Sequence, residues 1–444
     1  MEEVNDRKEG FNHISIDEKV LSNSLAKRLE DKLEKLPPLS PECCIYRVPA
    51  ELREGNEKSF TPQVISIGPL HHNNEKLKDM EQHKMRFLND FLSRIQVSLD
   101  DCVELLRRKE VKLRNCYADP IEFDSDKFIE IILIDAAFIV EVFLRNSISS
   151  DDYKVQNNRH DHFFGRPWKL KFIKNDMLLL ENQVPFFIIE DLLSLTGSSI
   201  PIRNDHRHSA IKLTYEFFKT RMYLKDVDAF NAMEKVGQSE IQHFVDFARI
   251  CHLPQEMPHK SKLKSLTLPT ATQLHQAGVK FKVKQSRNLF DIQFKDGTLE
   301  IPRLRINDAM ENFLRNLIAY EHYHLKDNYV NDYVFILHRL IDTPEDVELL
   351  AQNGIIESKL AGNEEVSSAI NKLSPGMTLI RFNFYFSDLC KELNDYYRVP
   401  WHKWKATLKQ DYFTNPWAII SVIAAIVLLI LTIVQTYYAV ASYY

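Results

Sequence analysis

A long uncharged apolar run near the C-terminus constrains the fold more than any other feature of the sequence. From Trp417 to Val434 the chain reads WAIISVIAAIVLLILTIV, in which only Ser421 and Thr432 are polar. At about 1.5 Å per residue, this run can cross roughly 27 Å of hydrocarbon. A buried core helix is the alternative, but core helices of this length normally carry a polar stripe. The sequence therefore predicts one transmembrane helix over about residues 416–438.

The residues that flank the run fit a membrane span and give it a direction. Pro416 suits the first turn of a helix, Trp417 marks one membrane interface, and Tyr437 and Tyr438 mark the other. Cations lie before the span and none follow it, and these cations are Arg398, Lys403, Lys405 and Lys409. Since flanking Lys and Arg favour the cytosolic side, we expect a tail-anchored protein whose bulk faces the cytosol. The run fits bilayers of different thickness, so endoplasmic reticulum and plasma membrane both stay open.

Composition excludes several classes of function. The 444 residues include 57 Lys and Arg and 62 Asp and Glu, which gives a formal net charge of −5. The chain therefore lacks the basic excess that is typical of nucleic-acid-binding proteins, and we expect no nucleic-acid partner. The six cysteines form no Cys-x-x-Cys pair, which disfavours structural zinc. The charged first ten residues lack the apolar core of a secretory signal, which agrees with a cytosolic bulk.

Signatures of common enzymes are also missing from the sequence. It contains no Gly-x-x-x-x-Gly-Lys-Ser/Thr, no Gly-x-Gly-x-x-Gly, no Gly-x-Ser-x-Gly and no His-Glu-x-x-His. These patterns respectively cradle phosphates, bind dinucleotides, present a nucleophilic serine and hold zinc. We therefore expect no catalytic residues, no cofactor and no metal, and a protein that is not an enzyme.

Periodicity divides the chain into three parts. Residues 1–41 form a polar tail with an amphipathic helix between Ile16 and Leu36, which could dock on the body or on a protein partner. Residues 42–410 carry mostly helical patterns and are predicted to form one globular domain. Residues 411–444 form the membrane anchor.

One stretch changes from helical periodicity to alternation and predicts a hairpin. Asp296-Gly297 is typical of a type I′ turn and lies between two alternating apolar stretches. A two-residue turn there places Phe294 opposite Leu299 on the apolar face. We expect φ > 0 at Gly297 and a predominantly α-helical fold of the α+β class, with a small antiparallel sheet and one C-terminal transmembrane helix.

Polar side chains interrupt two strongly apolar segments, at residues 128–144 and 177–193. In the first segment the uncharged runs are too short to span a bilayer, so a central core helix is predicted there rather than a second membrane span. The buried candidates are Asp135, Glu141, Glu181, Asn182 and Gln183. Such side chains need hydrogen-bond partners when they enter a core, which favours a structural network. Alternatively, carboxylates in apolar surroundings have raised pKa values and could act as general acid and base in a membrane-anchored hydrolase.

A series of short blocks runs from about Cys44 to the C-terminus. They read YRVP at 46–49, PQVISIGP at 62–69 followed by His71-His72, MEQHK at 80–84, LLLENQVPFF at 178–187, AGVKF at 277–281, LEIP at 299–302 and YFTNPWA at 412–418. Together these blocks resemble the plant family called domain of unknown function 247. Several blocks in the same order are more specific than any single one.

The resemblance implies a plant protein with a large uncharacterised domain and one C-terminal membrane helix. Some members of that family are linked to self-recognition in grass pollination, and no catalytic residues carry over. A recognition or scaffold protein that holds a partner at a membrane is therefore the favoured hypothesis, with the hydrolase as the alternative. An extracellular receptor is the alternative topology.

Overall fold

The fold is mainly helical, in agreement with the sequence. The computed structural model describes residues 25–31, 33, 40–95, 97–147, 167–196, 206–223, 234, 236–237, 239–253, 262–286, 288–323, 328–377, 379–400, 404 and 416–442. The helices are α1 (Ala50–Arg53), α2 (Asp79–Arg94), α3 (Leu99–Asn115), α4 (Ser125–Ser147), α5 (Pro167–Asp176), α6 (Phe186–Ser194), α7 (His206–Phe218), α8 (Phe244–His252), α9 (Ala271–Gln276), α10 (Asp308–Tyr323), α11 (Tyr329–Leu340), α12 (Pro344–Gln352), α13 (Asn363–Asn371), α14 (Ser387–Tyr397) and α15 (Pro416–Ala441). Short 3₁₀ helices cover Glu57–Ser59, Glu75–Leu77 and Ser374–Gly376.

Helix α4 is the centre of the core. Every residue from Phe128 to Arg145 except Glu130 is buried, and α2, α3, α6 and α7 pack around it. An apolar surface on all sides makes burial on all sides favourable, because each apolar side chain gains free energy when it leaves water. The prediction of a core helix rather than a second membrane span is confirmed.

Residues 40–78, the irregular N-terminal segment, precede α2 and cross the core rather than its surface. Ile45 forms an isolated bridge with Tyr117, and Ile65 and Ile67 are fully buried. Irregular backbone in an interior has no helical or sheet partners, so its N–H groups need acceptors from side chains. This requirement explains why carboxylates and amides from distant helices converge on this segment.

The sheets confirm the predicted hairpin but differ from the predicted antiparallel sheet in the strand that pairs beside it. Strands β1 (Lys280–Lys284), β2 (Gln293–Lys295) and β3 (Thr298–Pro302) form one sheet in the order β1-β3-β2. Phe294 pairs with Leu299, and φ is 50° at Asp296 and 72° at Gly297, as the type I′ turn requires. However, β1 runs parallel to β3, so the sheet is mixed rather than purely antiparallel. Strands β4 (Leu304–Ile306) and β5 (Ile356–Ser358) are also parallel.

The two terminal helical segments differ from the body in their exposure. Residues 25–31 are helical and exposed, while most of the predicted amphipathic helix lies outside the described residues. Within α15, Ile423–Ala441 is long and apolar enough to cross a membrane, and none of that window is buried inside the protein. A helix of 26 residues is about 39 Å long at 1.5 Å per residue, which exceeds a typical hydrocarbon thickness.

Candidate functional site

The segment between α5 and α6 is a turn that carries three buried polar side chains. Glu181, Asn182 and Gln183 are at most 1% exposed, because the apolar residues on both sides of them pack into the core. Pro185 then precedes α6 as its N-cap, which ends the irregular stretch. The turn places these side chains against the irregular N-terminal segment and the start of α8.

Asn182 and Gln183 are fully used as backbone connectors. Asn182 Oδ1 accepts from Ile67 N at 2.7 Å, and its Nδ2 donates to the carbonyls of Ile65 and Asp176. Gln183 Nε2 donates to the carbonyls of Met177, Leu179 and Asn182, and its Oε1 accepts from Phe244 N at 2.9 Å. A buried amide with every donor and acceptor satisfied fixes several chain segments at once.

The approach of the N-terminal segment to this turn depends on one glycine. Gly68 has φ +75°, and a Cβ atom built there would lie 2.3 Å from the carbonyl oxygen of Gln183. That distance is far below van der Waals contact, and the neighbour is backbone, which cannot move aside. Only glycine fits this position, and the Gly68 N–H then donates to Asp135 Oδ2 at 2.7 Å.

Glu181 is held by one backbone donor and by the side chains of Arg53 and His71. Its Oε1 accepts from Val48 N at 2.7 Å and pairs with Arg53, and its Oε2 lies 3.0 Å from His71 Nε2. Burial alone would raise the pKa of Glu181, but the hydrogen bonds from His71, Arg53 and Val48 outweigh it and lower that pKa. The carboxylate therefore stays ionised and paired, rather than being poised to donate a proton.

Asp135 and Glu141 lie on α4 in two further charge clusters. Asp135 pairs with Lys84 Nζ at 2.5 Å, both fully buried, and burial raises the pKa of Asp135 to about 6 despite that cation. Glu141 accepts two bonds from Arg94, at 3.0 and 2.8 Å, and one from Arg145 at 2.7 Å. Each acid thus has its own cation, and no hydrogen bond between described residues joins the two.

Asp176, at the end of α5, was not identified from the sequence. Its carboxylate accepts from three consecutive backbone N–H groups, those of Gln63, Val64 and Ile65, at 2.6 to 3.1 Å. Burial raises its pKa to about 6 even though these bonds favour the charged form. An aspartate before an apolar run gives no periodic signal, so sequence reasoning had no means to detect it.

Lys84 was detectable in principle. It falls on the apolar face of α2 with Met80, Phe87 and Leu88, and a cation in such a stripe indicates a buried partner. Its Nζ also donates to the Ser66 carbonyl at 2.8 Å. The sequence therefore indicates that Lys84 is buried beside an acid, but it does not show that this acid is Asp135.

A cavity borders this network, but most residues of the network do not line it. It has a volume of about 700 Å³ and is lined by α5, the start of α10 and residues 58–63. Of the buried carboxylates, Asp176 lines it, while Asp135, Glu141 and Glu181 do not. Asp176 is already occupied by backbone donors, and none of the five predicted network residues lines this cavity.

The predicted anchor residues lie on or beside α15. Pro416 begins the helix, and Val434, Tyr437 and Tyr438 are exposed on it, with the last two at 69% and 68%. The side chain of Trp417 lies outside the described residues, as do Lys403, Lys405 and Lys409. Arg398 is exposed directly after α14. Among the described residues, no group of three His, Cys, Asp or Glu could hold a metal ion.

Comparisons with known proteins agree with the resemblance seen in the sequence. A family model, DUF247, described as plant protein of unknown function, matches residues 45–431. The UPF0481 protein At3g47200 of Arabidopsis thaliana is 29% identical over 90% of this chain and 87% of its own length. The putative UPF0481 protein At3g02645 of the same plant is 24% identical over 94% of each chain. No solved structure matches.

Proposed function

The chain belongs to the plant family of unknown function, DUF247, whose model matches residues 45–431, and from that premise we propose that it is a non-enzymatic recognition or scaffold protein held at a membrane by α15. The observation that carries this proposal is a contrast between α15 and the body. The membrane-length window of α15 is not buried in the protein, whereas the predicted buried acids Asp135, Glu141 and Glu181 are paired with basic side chains. A body whose buried acids are paired internally suits a scaffold, and an unburied apolar helix suits a lipid bilayer.

The commitment of the acids weighs against the hydrolase. General acid and base catalysis requires carboxylates that reach the substrate and exchange protons with it. Asp135, Glu141 and Glu181 are each paired with a lysine, arginine or histidine of this chain, and none lines the cavity. The geometry therefore supports a structural role for the three acids.

The exposure of α15 supports the anchor. A soluble domain rarely leaves a contiguous apolar surface of this size in water, because burial of that surface would lower its free energy. The cations before the span, Arg398 and Lys403 among them, favour a cytosolic bulk in a tail-anchored arrangement. Anionic lipids of the cytosolic leaflet would attract the same cations.

The anchor and its direction are tested in sealed microsomes. Alkaline carbonate should leave the full chain in the pellet, while a variant without residues 416–444 should appear in the supernatant. Added protease should digest the region before Arg398 and spare only the tail. Exchange of the four flanking cations for glutamine, with new lysines placed after Tyr444, should weaken or invert this orientation. Protection of the whole body in the unaltered chain would overturn the cytosolic assignment and favour a receptor facing outwards.

The scaffold role is tested by proximity labelling in plant cells. The full chain and the variant lacking residues 416–444 would carry the same labelling enzyme. We expect a defined set of proteins that the full chain labels and the anchor-deleted variant does not. Identical labelling by both chains would contradict a function that depends on the membrane, and turnover of a labelled small molecule by the purified chain would contradict a non-enzymatic one.

A further inference from the structure

The cavity of about 700 Å³ carries an excess of positive charge that the core network does not use. Four cations line it: Lys58, Lys171, Arg221 and Lys359. None of the four makes a side-chain hydrogen bond or ion pair with another residue in the part of the chain that the structure describes. Cations of a folded protein that share a concave site without internal partners leave their charge available to a ligand.

The acids of the cavity do not cancel this charge. Asp308 is exposed at its edge, and Asp176 has its oxygens occupied by the backbone N–H groups of residues 63–65. With both acids ionised, the described residues of the lining have a net charge of 4 − 2 = +2. Arg221 is half-buried, and burial lowers its pKa, so the site holds a cation that is incompletely solvated.

The pKa of Lys174, on the same helix as Lys171, also responds to the cations around the cavity. Burial, followed by the nearby cations Arg221 and Lys219, lowers the pKa of Lys174 to about 8. A cation whose pKa is lowered by nearby cations favours an anion beside it, because the anion offsets their repulsion. Lys174 lies on α5, the helix that also supplies Lys171 to the cavity.

Two asparagines of the lining add hydrogen-bond donors to these cations. Asn307 Oδ1 accepts from Met310 N and from the Tyr223 hydroxyl, both at 3.0 Å, and Asn312 Oδ1 accepts from Ser59 Oγ at 2.7 Å. Both amides keep their NH₂ groups for a ligand, and the oxygen of Asn307 already accepts two hydrogen bonds. The described lining therefore combines four cations and two amide donors with the polar side chains of Thr61, Gln63 and Asn175. The apolar side chains of Leu179 and Phe313 lie beside them.

We propose that this cavity binds a small phosphorylated polyol, of the sugar-phosphate or inositol-phosphate class. Phosphate oxygens are acceptors that suit lysine and arginine, the amide NH₂ groups suit hydroxyl oxygens, and the volume is that of a typical small-molecule site. The cations are contributed by four separate parts of the chain, which favours a ligand with more than one phosphate. The ligand is either a free metabolite or the headgroup of a membrane lipid.

The test uses the full chain in nanodiscs of neutral lipid, with soluble inositol 1,4,5-trisphosphate as the probe and calorimetry as the readout. Saturable binding is expected, with unphosphorylated inositol inert. A second preparation contains phosphatidylinositol 4,5-bisphosphate in the nanodisc. If the soluble probe binds equally well to the chain in both kinds of nanodisc, the result supports a free ligand. Inhibition by the lipid supports a headgroup ligand.

A matched pair of double variants separates this site from general electrostatics. Lys171→Gln with Arg221→Gln removes two cavity cations, and we expect affinity to fall by at least about tenfold, as loss of charge-assisted bonds implies. Lys280→Gln with Lys295→Gln removes the same charge from exposed positions of β1 and β2 that do not line the cavity, and should change affinity by less than about twofold. Thermal unfolding of both variants, followed by the reactivity of the buried cysteines, would establish that each variant is folded.

Three results would overturn the proposal. One is the absence of saturable binding at about 1 mM probe, the weak limit of specific sites. Another is an equal loss of affinity in both double variants, which would show a diffuse field effect. The third is equally tight binding of an acidic peptide such as polyglutamate, which would assign the cations to a protein partner instead.

Discussion

Replacement of Glu181 by alanine removes the acceptor that joins α1, the irregular N-terminal segment and the turn before α6. The carboxylate accepts from the buried Val48 N–H and pairs with Arg53 and His71. Val48 N would lose its acceptor in the interior, at a cost of about 1–3 kcal/mol. Arg53 and His71 are 26% and 12% exposed, so water can compensate part of their loss.

These contributions define the expected loss of stability. Removal of one partner from a fully buried ion pair costs about 3–5 kcal/mol, and partial access to water reduces this figure. We therefore expect Glu181→Ala to lower the free energy of unfolding by about 2–4 kcal/mol. Glu181→Gln should cost less, because its amide oxygen can still accept from Val48.

The assay is urea unfolding of the full chain in detergent, followed with a thiol-reactive fluorophore. Free cysteines report the transition because five of the six are buried, namely Cys44, Cys102, Cys116, Cys251 and Cys390. Glu130→Ala is the matched control, since Glu130 pairs with Lys127 at 2.9 Å on the exposed face of α4. Such a surface pair contributes less than about 0.5 kcal/mol.

The comparison between the two glutamates can refute the reasoning. If Glu181→Ala and Glu130→Ala unfold at the same urea concentration with the same slope, the Glu181 network does not stabilise the fold. If Glu181→Gln unfolds like Glu181→Ala, the bond to Val48 contributes nothing and the loss is purely one of charge pairing.

Three further substitutions test other parts of the structure in the same assay. Gly297→Val should destabilise the fold more than Gly297→Asn, because asparagine tolerates φ > 0. Both variants place a Cβ 2.9 Å from the Tyr396 hydroxyl, so this contact does not distinguish them. Equal effects of the two substitutions would refute the turn assignment. Lys84→Met should cost less near pH 5 than near pH 7, since a protonated Asp135 needs no cation; a constant cost would contradict this. For Asp176, a pKa raised from 3.8 to about 6 means that its stabilising effect is complete below about pH 3.8 and lost as pH rises through 6. The advantage of wild type over Asp176→Asn should thus shrink by about 3 kcal/mol at most from pH 4 to pH 7, and a growing advantage would reverse the sign.

Local patterns were enough to identify several elements. The apolar run that contains Trp417, the core helix α4 and the turn at Asp296-Gly297 each depend on residues that are close in sequence. Each prediction depends on a property of a short stretch of sequence. These properties are the length of the apolar run relative to the bilayer, the apolar residues on all sides of a helix and the tolerance of glycine for φ > 0. The same holds for the expectation that residues 181–183 require hydrogen-bond partners.

Tertiary structure alone decided which groups would be those partners. Lys84 meets Asp135 across 51 positions and Val48 meets Glu181 across 133, and Asp176 receives three N–H groups from more than 110 positions away. The parallel pairing of β1 with β3, and the four cations of the cavity, likewise come from separated segments. A sequence shows that a buried charge needs a counter-charge, because desolvation is a local cost. Which of many lysines and arginines supplies it depends on how the whole chain packs.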